Sequence, residues 1–442
     1  MAADAGPTVA VAFSGGRDSL ALLHATCRAA AACGAQVVAL HVHHGLMPEA
    51  DAWVQQAARL CQRWHRRGWP LRLRWGRLVG QPAAGDSVEA WARAGRQALL
   101  AALAREEGAS LLLLAQHRRD QAETVLLQAL RGGGPAGLAA MPRTGLRDGL
   151  VWARPWLDQP REAIEAYVLS HRLRPLDDPS NADPRFARNR LRLLVWPALT
   201  QAFADAEQAL VGVAQRAQRA SAALAELAAL DLAGLVDSDG ALQVAGWRRL
   251  SPARQANTLR AWWAAQAGAG PAHRLVERLL AEVPDRGAAT WPAGAGRVCR
   301  LYRGQLRCQS APLADVAANG AACMLDLSTP GRQAVPGWAG QVEARPCSAG
   351  GVALARLRQV RLAARHGGER FQGQPGRPPR SLKLQFQAVG VPAWARAGPL
   401  LWSDGQLLFV PGLGVDARAW APAGAEQCTL HWWPASPQQA AG

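Results

Sequence analysis

The sequence has almost no lysine, no closely spaced cysteine pair and no long apolar run. Lys383 is the only lysine, so nearly all of the +17 net charge comes from arginine. None of the eight cysteines forms a CxxC pair, which disfavours a zinc ribbon or a disulfide framework and indicates free cytosolic thiols. No apolar stretch is long enough to cross a bilayer, and the N-terminus lacks the basic segment of a signal peptide. These absences predict a cytoplasmic protein.

The composition that remains is that of a globular protein with several domains. The chain has 442 residues, of which 49% are hydrophobic and 19% charged. A single core rarely extends over that length, so two or three domains are expected. The isoelectric point of about 11.1 suits a polyanionic partner, because phosphates neutralised by protein cations release their counterions. A coding bias towards arginine, alanine and glycine explains the same charge, so charge alone favours nucleic acid only weakly.

Apolar strand-length runs alternate with helical periodicity through the first third of the chain. Continuous apolar runs are typical of strands buried on both faces of a parallel sheet. They lie at 8–13, 36–42 and 111–115, with a shorter run at 71–75. Helical spacing follows at 20–33, 51–64, 86–107 and 120–130. The alternation predicts an α/β fold with a doubly wound, mainly parallel sheet.

The amino-acid composition of the sequence changes twice after that region. A basic helix is expected at 186–196, and alanine- and leucine-rich helical stretches begin near residue 203. A last domain is expected to begin near residue 344, where Asp404-Gly405 between two apolar runs predicts a hairpin. We therefore predict three domains, 1–202, 203–343 and 344–442: an α/β domain with a basic helical extension, a mainly helical domain and a small α+β domain.

The loop from Ser14 to Ser19, with the sequence SGGRDS, is the sharpest signal for chemistry. It lies between a buried strand and a helix, where glycines let backbone N–H groups and the helix N-terminus approach a polyanion. Asp18 could hold a Mg²⁺ ion that neutralises phosphate charge. The loop is not a Walker A motif, since no GKS or GKT occurs. The alternative is an ordinary glycine turn.

Three histidines, His41, His43 and His44, lie where the second strand ends. Ligands of an open parallel sheet bind beyond the carboxyl ends of its strands, so His41 and His44 are expected near a nucleotide. A packed or solvated histidine is an equal alternative for each of them. A metal site is less favoured, because neighbours along a strand point to opposite faces.

Two further helices carry charged residues on one face. Arg93 and Arg96 could bind a phosphate, and the alternative is a solvated charged face. Asp120 and Glu123 fall in the first turn of the next helix, where the helix dipole alone would favour carboxylates. The functional interpretation places both beside the nucleotide, where they would hold an amine substrate or share Mg²⁺.

These motifs resemble the PP-loop ATP pyrophosphatases, and among them the tRNA(Ile)-lysidine synthetases. SGGRDS matches the superfamily loop, and HVHHGL, ExxARxxR, DQAET and FARNRLR resemble segments of the synthetases. The sequence departs from the family pattern at Gln116, where histidine is usual, and at Arg119, where aspartate is usual. Gln116 cannot shuttle protons at neutral pH. The segment at 366–371, HGGERF, resembles the family's last domain more weakly.

The resemblance implies a two-step ligation on RNA. ATP would adenylate the 2-carbonyl oxygen of the wobble cytidine in the CAU anticodon of tRNA(Ile), and L-lysine would then displace AMP to give lysidine. It also implies ATP and Mg²⁺ as co-substrate and cofactor, an ATP-binding domain at 1–202, a substrate-binding domain at 203–343 and a tRNA-binding domain at 344–442. The alternatives are a PP-loop tRNA thiolase, which the missing CxxC disfavours, and a non-catalytic tRNA-binding protein with a decayed site. A homodimer stays open.

The resemblance assigns roles residue by residue. The expected catalytic residues are Asp18, Arg93, His117, Asp120 and Glu123. The expected nucleotide-binding residues are Ser14, Gly15, Gly16, Arg17, Asp18, Ser19 and His41. The expected substrate-binding residues are Arg96, Arg188 and Arg190, and the expected metal ligand is Asp18.

Overall fold

The computed structural model describes residues 6–43, 45, 50–81, 88–176, 183–283, 287–311 and 321–434. The chain divides into two compact units, Met1–Leu227 and Ala228–Gly442. The finer division into three domains at 202 and 343 stays a prediction. None of the helices that the structure describes is both long and apolar enough to span a membrane.

The first unit contains a six-stranded sheet with helices on both faces. Its strands are β1 (Thr8–Ala12), β2 (Gln36–His43), β3 (Leu71–Arg77), β4 (Leu111–Leu113), β5 (Thr144–Arg147) and β6 (Leu150–Ala153). Its helices are α1 (Arg17–Cys33), α2 (Ala50–Arg66), α3 (Val88–Glu106), α4 (Arg118–Leu130), α5 (Pro135–Leu138), α6 (Arg161–Ser170), α7 (Ala187–Arg190) and α8 (Trp196–Ala202). A long helix, α9 (Ala206–Leu232), runs past the boundary between the units.

The strand order of this sheet is β3-β2-β1-β4-β6-β5, and only β5 is antiparallel to its neighbour. The doubly wound, mainly parallel α/β sheet is thereby confirmed. Helices α1 and α2 cover one face through a core that includes Leu23 and Trp64, and α3 covers the other through Leu100 and Leu103. The carboxyl ends of β1, β2, β4 and β6 therefore lie along one edge, where an open sheet binds its ligands.

The basic helix expected at 186–196 is not a single regular α-helix. It consists of α7, a π-helical turn at Leu191–Val195, and α8. Pro197 has no N–H to donate to the carbonyl four residues earlier, and the Trp196 N–H bonds the Leu191 carbonyl five residues back. The extra residue in that turn rotates the side chains that precede it relative to those that follow.

In its described residues the second unit combines four further helices with antiparallel sheets. Its helices are α10 (Val244–Trp247), α11 (Pro252–Ala267), α12 (His273–Glu282) and α13 (Leu382–Val389), with 3₁₀ turns at Leu354–Leu357, Ala393–Ala395 and Ala417–Ala419. Its strands are β7 (Leu242–Gln243), β8 (Ala288–Gly294), β9 (Arg297–Tyr302), β10 (Gln305–Ser310), β11 (Cys323–Leu325), β12 (Gly331–Ala334), β13 (Gly340–Cys347), β14 (Val352–Ala353), β15 (Val360–Ala363), β16 (Arg370–Phe371), β17 (Arg380–Ser381), β18 (Leu400–Ser403), β19 (Gln406–Val410), β20 (Gly414–Val415) and β21 (Gln427–Pro434).

The strands of this unit form sheets of order β7-β10-β9-β8, β11-β15-β18-β19-β20, β12-β13-β21-β14 and β16-β17. The helical middle region is confirmed, and so is the hairpin at Asp404-Gly405. Both turn residues have a positive φ, 50° and 75°, as a two-residue hairpin requires. The sheet that contains β8, β9 and β10 was not predicted, because Pro292, Gly294 and Gly296 in and after β8 interrupt the apolar pattern.

Candidate functional site

The loop between β1 and α1 has the geometry of an anion cradle. Gly15 has φ +90°, a conformation that favours glycine, and Gly16 is the N-cap residue of α1. The Ser19 hydroxyl donates to the Gly16 carbonyl at 3.0 Å and accepts the Ser14 N–H at 3.2 Å. These bonds fix the loop from inside and leave the start of α1, with its free N–H groups, facing the sheet edge.

A cavity of about 220 Å³ adjoins this loop on the side of α2. Its floor is apolar, and guanidinium groups from α2 and from the chain after α6 lie around it. Its lining residues are Phe13, Gly15, Leu20, Gln56, Ala57, Arg59, Leu60, Arg63, Arg174 and Leu176. The Leu176 N–H donates to the Gly15 carbonyl at 2.9 Å, so the loop and the cavity wall are directly joined. The cavity is large enough for a planar ring system.

Asp18 extends from the first turn of α1 towards the carboxyl end of β4. Its carboxylate accepts the Arg17 Nε–H at 2.8 Å, and Arg17 also forms an ion pair with Glu165 of α6. The second Asp18 oxygen lies 3.7 Å from Nε2 of His117. The Asp18 side chain keeps 31% of its surface exposed, so it can still contact a ligand.

His117 links this loop to the start of α4. It is the N-cap residue of that helix, and its backbone N–H donates to Asp120 Oδ2 at 3.1 Å. Its Nε2 atom lies 3.5 Å from the same carboxylate oxygen. The side chain is 3% exposed, and its Nδ1 finds no hydrogen-bond partner among the described residues. The predicted catalytic residues Asp18, His117 and Asp120 are therefore neighbours.

Glu123 and Asp120 lie one turn apart on α4 and share an arginine that sequence reasoning missed. Arg192 donates from Nε to Glu123 Oε1 at 2.7 Å and from Nη2 to Asp120 Oδ1 at 2.8 Å. Burial lowers the pKa of Arg192, but its bond to Glu123 and the charges of Glu123, Asp120 and Asp18 raise it overall. Arg192 lies in the π-helical turn, and its place as the third arginine of FARNRLR was the available signal.

Arg188, which was predicted to bind substrate, joins the same group. Its Nη2 donates to Thr124 Oγ1 at 2.8 Å, and its Nε lies 3.5 Å from Glu123 Oε2. Glu123 has no exposed surface, so it meets solvent or substrate only through the arginines that cover it. Arg190 lies elsewhere: it is exposed and donates to the backbone carbonyl of Pro184 at 3.2 Å.

Arg93 and Arg96 project from α3 near this group. The Arg96 side chain is accessible to solvent, yet its pKa is lowered, first by desolvation and then by repulsion from Arg93 and Arg188. The structure therefore brings Arg93 and Arg96 towards Arg188 rather than leaving them on an isolated helix face.

His41 is buried at the end of β2, where its Nδ1 is 2.9 Å from the Phe13 carbonyl oxygen. Burial lowers its pKa, against the opposing effect of that bond. His43 is also buried, and its Nε2 lies 3.1 Å from Asp51. His41 therefore lies next to the loop, whereas His43 contacts α2 through Asp51, and His44 lies outside the described residues. No group of three or more metal-ligating side chains occurs in the described parts of the chain.

Comparison with known protein families assigns a class to this site. The PP-loop domain model matches residues 2–199, which include the whole loop and the group around Glu123. This part of the chain is therefore a PP-loop domain, the class defined by its sheet and its β1–α1 loop. The TilS substrate binding domain model matches residues 242–307, and the TilS substrate C-terminal domain model matches residues 360–432.

Curated relatives over nearly the full length identify the family. A tRNA(Ile)-lysidine synthase of Ralstonia nicotianae is 43% identical, over 93% of this chain and 90% of the relative. Those of Burkholderia mallei and Chromobacterium violaceum are 40% and 37% identical, with 92% and 96% of this chain covered and 89% and 94% of the relatives. The chain belongs to the tRNA(Ile)-lysidine synthase family, which confirms the resemblance.

A solved structure of a U34-tRNA thiolase from Methanococcus maripaludis is also similar. Its TM-score is 0.41 and its identity 14%, over 48% of this chain and 71% of that chain. A likeness this distant assigns no function.

Proposed function

We propose that this protein ligates L-lysine to the 2-position of the wobble cytidine in the CAU anticodon of tRNA(Ile), with ATP as the energy source. The reaction forms lysidine, which changes the codon read from AUG to AUA, and it releases AMP and pyrophosphate. The observation that carries the proposal is the convergence of the β1–α1 loop with Asp18, His117 and Asp120 at one sheet edge. Membership of the synthase family supports it.

The nucleotide would lie across the β1–α1 loop. The triphosphate would be held by backbone N–H groups of Gly15 and Gly16 and by the hydroxyls of Ser14 and Ser19 at the start of α1. The base and sugar would enter the adjoining cavity, whose apolar floor suits a planar ring. Arg17, held by Asp18 and Glu165, would add positive charge beside the phosphates. His41 would support the loop through the Phe13 carbonyl.

Asp18 would hold Mg²⁺ in this site. Mg²⁺ commonly takes only one or two protein carboxylates and fills its other positions with phosphate oxygens and water. A partly exposed carboxylate at the N-terminus of α1, in a described region that holds no group of three or more metal-ligating side chains, fits that mode. When bound, the ion would neutralise charge on the departing pyrophosphate.

The two chemical steps then use neighbouring side chains. In the first step the 2-carbonyl oxygen of cytidine attacks the α-phosphorus, and the bond to pyrophosphate breaks. Arg93 would offset the negative charge that develops there, and Arg96 and Arg188 would hold the RNA. In the second step the lysine amine attacks carbon 2, and the oxygen leaves as part of AMP. His117 would take a proton from the amine, since its Nδ1 has no described partner.

The carboxylates of α4 have different roles in this scheme. Asp120 retains some exposed surface and would attract the ammonium group of lysine. Glu123 is fully buried, so it would act by holding Arg192 and Arg188 in place. Arg190, which faces away, would contact a more distant part of the tRNA.

Incubation with ¹³C-labelled lysine, ATP and the CAU-anticodon tRNA tests the proposal, with the product nucleoside read by mass spectrometry. We expect a mass gain of one lysine less one water, together with AMP and pyrophosphate. Incorporation of sulfur would favour the thiolase, and unchanged but bound tRNA would favour a non-catalytic binder. Asp18→Asn should abolish pyrophosphate release, while Asp205→Asn, a matched change of an exposed aspartate, should leave it unchanged.

The location and the larger organisation of the protein are proposals as well. We infer a cytoplasmic enzyme in which residues 1–202 bind ATP, 203–343 bind substrate and 344–442 bind tRNA. The two TilS domain models, matched at 242–307 and 360–432, support the last two assignments. Whether two copies associate would be measured by sedimentation velocity.

A further inference from the structure

Five arginines from three separate elements form an arc along one side of the site. Arg93 and Arg96 come from α3, Arg188 from α7, and Arg147 and Arg154 from the β5–β6 hairpin. We call this set the arginine arc. Arg147 and Arg154 were singled out by no motif, and the roles proposed above do not use them.

Arg154 is the unusual member, because it is a buried cation without an anion. It is 8% exposed and follows β6 at the carboxyl end of that strand. Its Nη1 donates to the Pro142 carbonyl at 2.9 Å, and its Nε finds no acceptor among the described residues. No carboxylate of the described residues lies within ion-pair distance. A buried charge without a partner is costly, so such a group is normally neutralised by something that binds.

Arg147 joins the hairpin to α3. Its guanidinium lies 5.6 Å from the ring centroid of Trp152 and donates to Gln97 Oε1 at 3.4 Å. Gln97 follows Arg96 directly in α3, so this contact brings the hairpin against the helix that carries Arg93 and Arg96. The contacts are neutral, and the positive charge of Arg147 therefore stays available to a ligand.

Electrostatic repulsion along the arc supports this arrangement. The pKa of Arg154 is lowered by desolvation, then by the charges of Arg147 and Arg93. The pKa of Arg96 is lowered by desolvation, then by the charges of Arg93 and Arg188. The charges of the hairpin and α3 arginines therefore act on one another, the Arg147–Gln97 contact joins those two elements, and Arg188 at the α7 end meets Glu123.

The hairpin end of the arc, which carries Arg147 and Arg154, is separated from the triphosphate loop. The loop of Ser14 to Ser19 follows β1, whereas Arg154 follows β6, and β4 lies between those two strands. Two strand spacings amount to about 10 Å. The arc thus extends from the carboxylates of α4 towards the outer edge of the sheet, away from α1.

We propose that the arginine arc binds consecutive phosphodiester groups of the RNA strand that carries the modified nucleotide. Several guanidiniums on one surface suit the repeating charge of an RNA backbone, and contacts to phosphates position a strand without reading its bases. The proposal rests on the proposed function for its substrate, and it adds Arg147 and Arg154 to the residues that contact tRNA.

Binding of a fluorescent CAU anticodon stem-loop, measured by anisotropy over a range of salt concentrations without ATP, tests the arc. Arg147→Gln should weaken binding about tenfold, the effect of one lost charge-assisted contact, and should lower the slope of log affinity against log salt by about 1. Arg154→Lys keeps a positive charge at the buried position, so this variant should bind the stem-loop more tightly than Arg154→Gln. The comparison separates the effect of the charge from an effect of the substitution on folding. Arg67→Gln removes an exposed arginine beside β3, at the other edge of the sheet, and should leave the slope unchanged.

ATP binding by the same variants, measured by calorimetry, distinguishes the two phosphate sites. If the arc binds RNA and not ATP, Arg147→Gln should bind ATP with the same affinity as the unchanged protein. A normal salt slope in Arg147→Gln, or a loss of ATP affinity with RNA affinity retained, would overturn the assignment. If the unchanged protein bound ATP but no stem-loop, the proposed function itself would fail and the arc with it.

Discussion

Replacing Arg192 by methionine should measure how much the protein's stability depends on the ion pair between Arg192 and the buried Glu123. The substitution keeps most of the side-chain volume and removes the bonds of 2.7 Å to Glu123 and 2.8 Å to Asp120. Removing one partner of a buried ion pair typically costs about 3–5 kcal/mol, because the other charge stays buried. Arg188, at 3.5 Å from Glu123, would still offset part of that charge. We therefore expect a loss of about 3 kcal/mol in the free energy of unfolding.

Urea unfolding at pH 8 measures this loss. Without Arg192 the buried Glu123 carboxylate keeps only Arg188, at 3.5 Å, as a nearby cation, so the loss should depend on the charge of Glu123. Adding Glu123→Gln removes the unpaired charge, and the double variant should be at least about 1 kcal/mol more stable than the sum of the single changes.

Arg190→Met is the matched control for this prediction. Arg190 lies two residues earlier, is exposed and bonds only backbone carbonyls of Pro184 and Arg185, so its loss should cost less than about 0.5 kcal/mol. The reasoning would be refuted if Arg192→Met were as stable as Arg190→Met at pH 8. The reasoning would also be refuted if the free-energy changes of the Arg192 and Glu123 substitutions were simply additive in the double variant.

Three further predictions concern other parts of the first unit. Gly15→Ala would place a methyl group 2.4 Å from Leu176 at φ +90°, so it should cost at least about 1 kcal/mol in urea unfolding and weaken ATP binding in calorimetry. Burial lowers the pKa of His24 from 6.5 to about 4, so the unfolded chain protonates first as pH falls. Stability should then drop by about 2–3 kcal/mol between pH 7 and pH 4.5, a drop that His24→Gln should reduce. Burial raises the pKa of the Cys27 thiol to about 12, so a maleimide should label the exposed Cys33 far faster than Cys27, as peptide mass spectrometry would show.

Sequence patterns predicted those features whose causes are local. The strands β1 and β2 are continuous apolar runs, and α1 ends at Gly34, whose φ of +71° is the left-handed conformation expected at a helix end. The β5–β6 hairpin was missed because its short strands carry no strong periodicity and are fixed by pairing with β4. The contacts of Arg192 depend on a π-helical turn and on a helix about 70 residues earlier, and no pattern of nearby residues encodes that proximity.

One of the two departures from the family pattern, Arg119, falls outside the group that would do chemistry. Arg119, which stands where aspartate is usual, pairs with Glu207 and Glu162 at 3.2 Å each and lies over the Trp196 ring. Carboxylates from α6 and α9 therefore compensate the reversed charge. The adjacent carboxylate of Asp120 keeps its bonds to Arg192 and to the His117 backbone. The change from aspartate to arginine at position 119 is thus balanced by carboxylates on the side of α4 away from Asp120. It alters the packing of the helix and gives no support to the idea of a decayed active site.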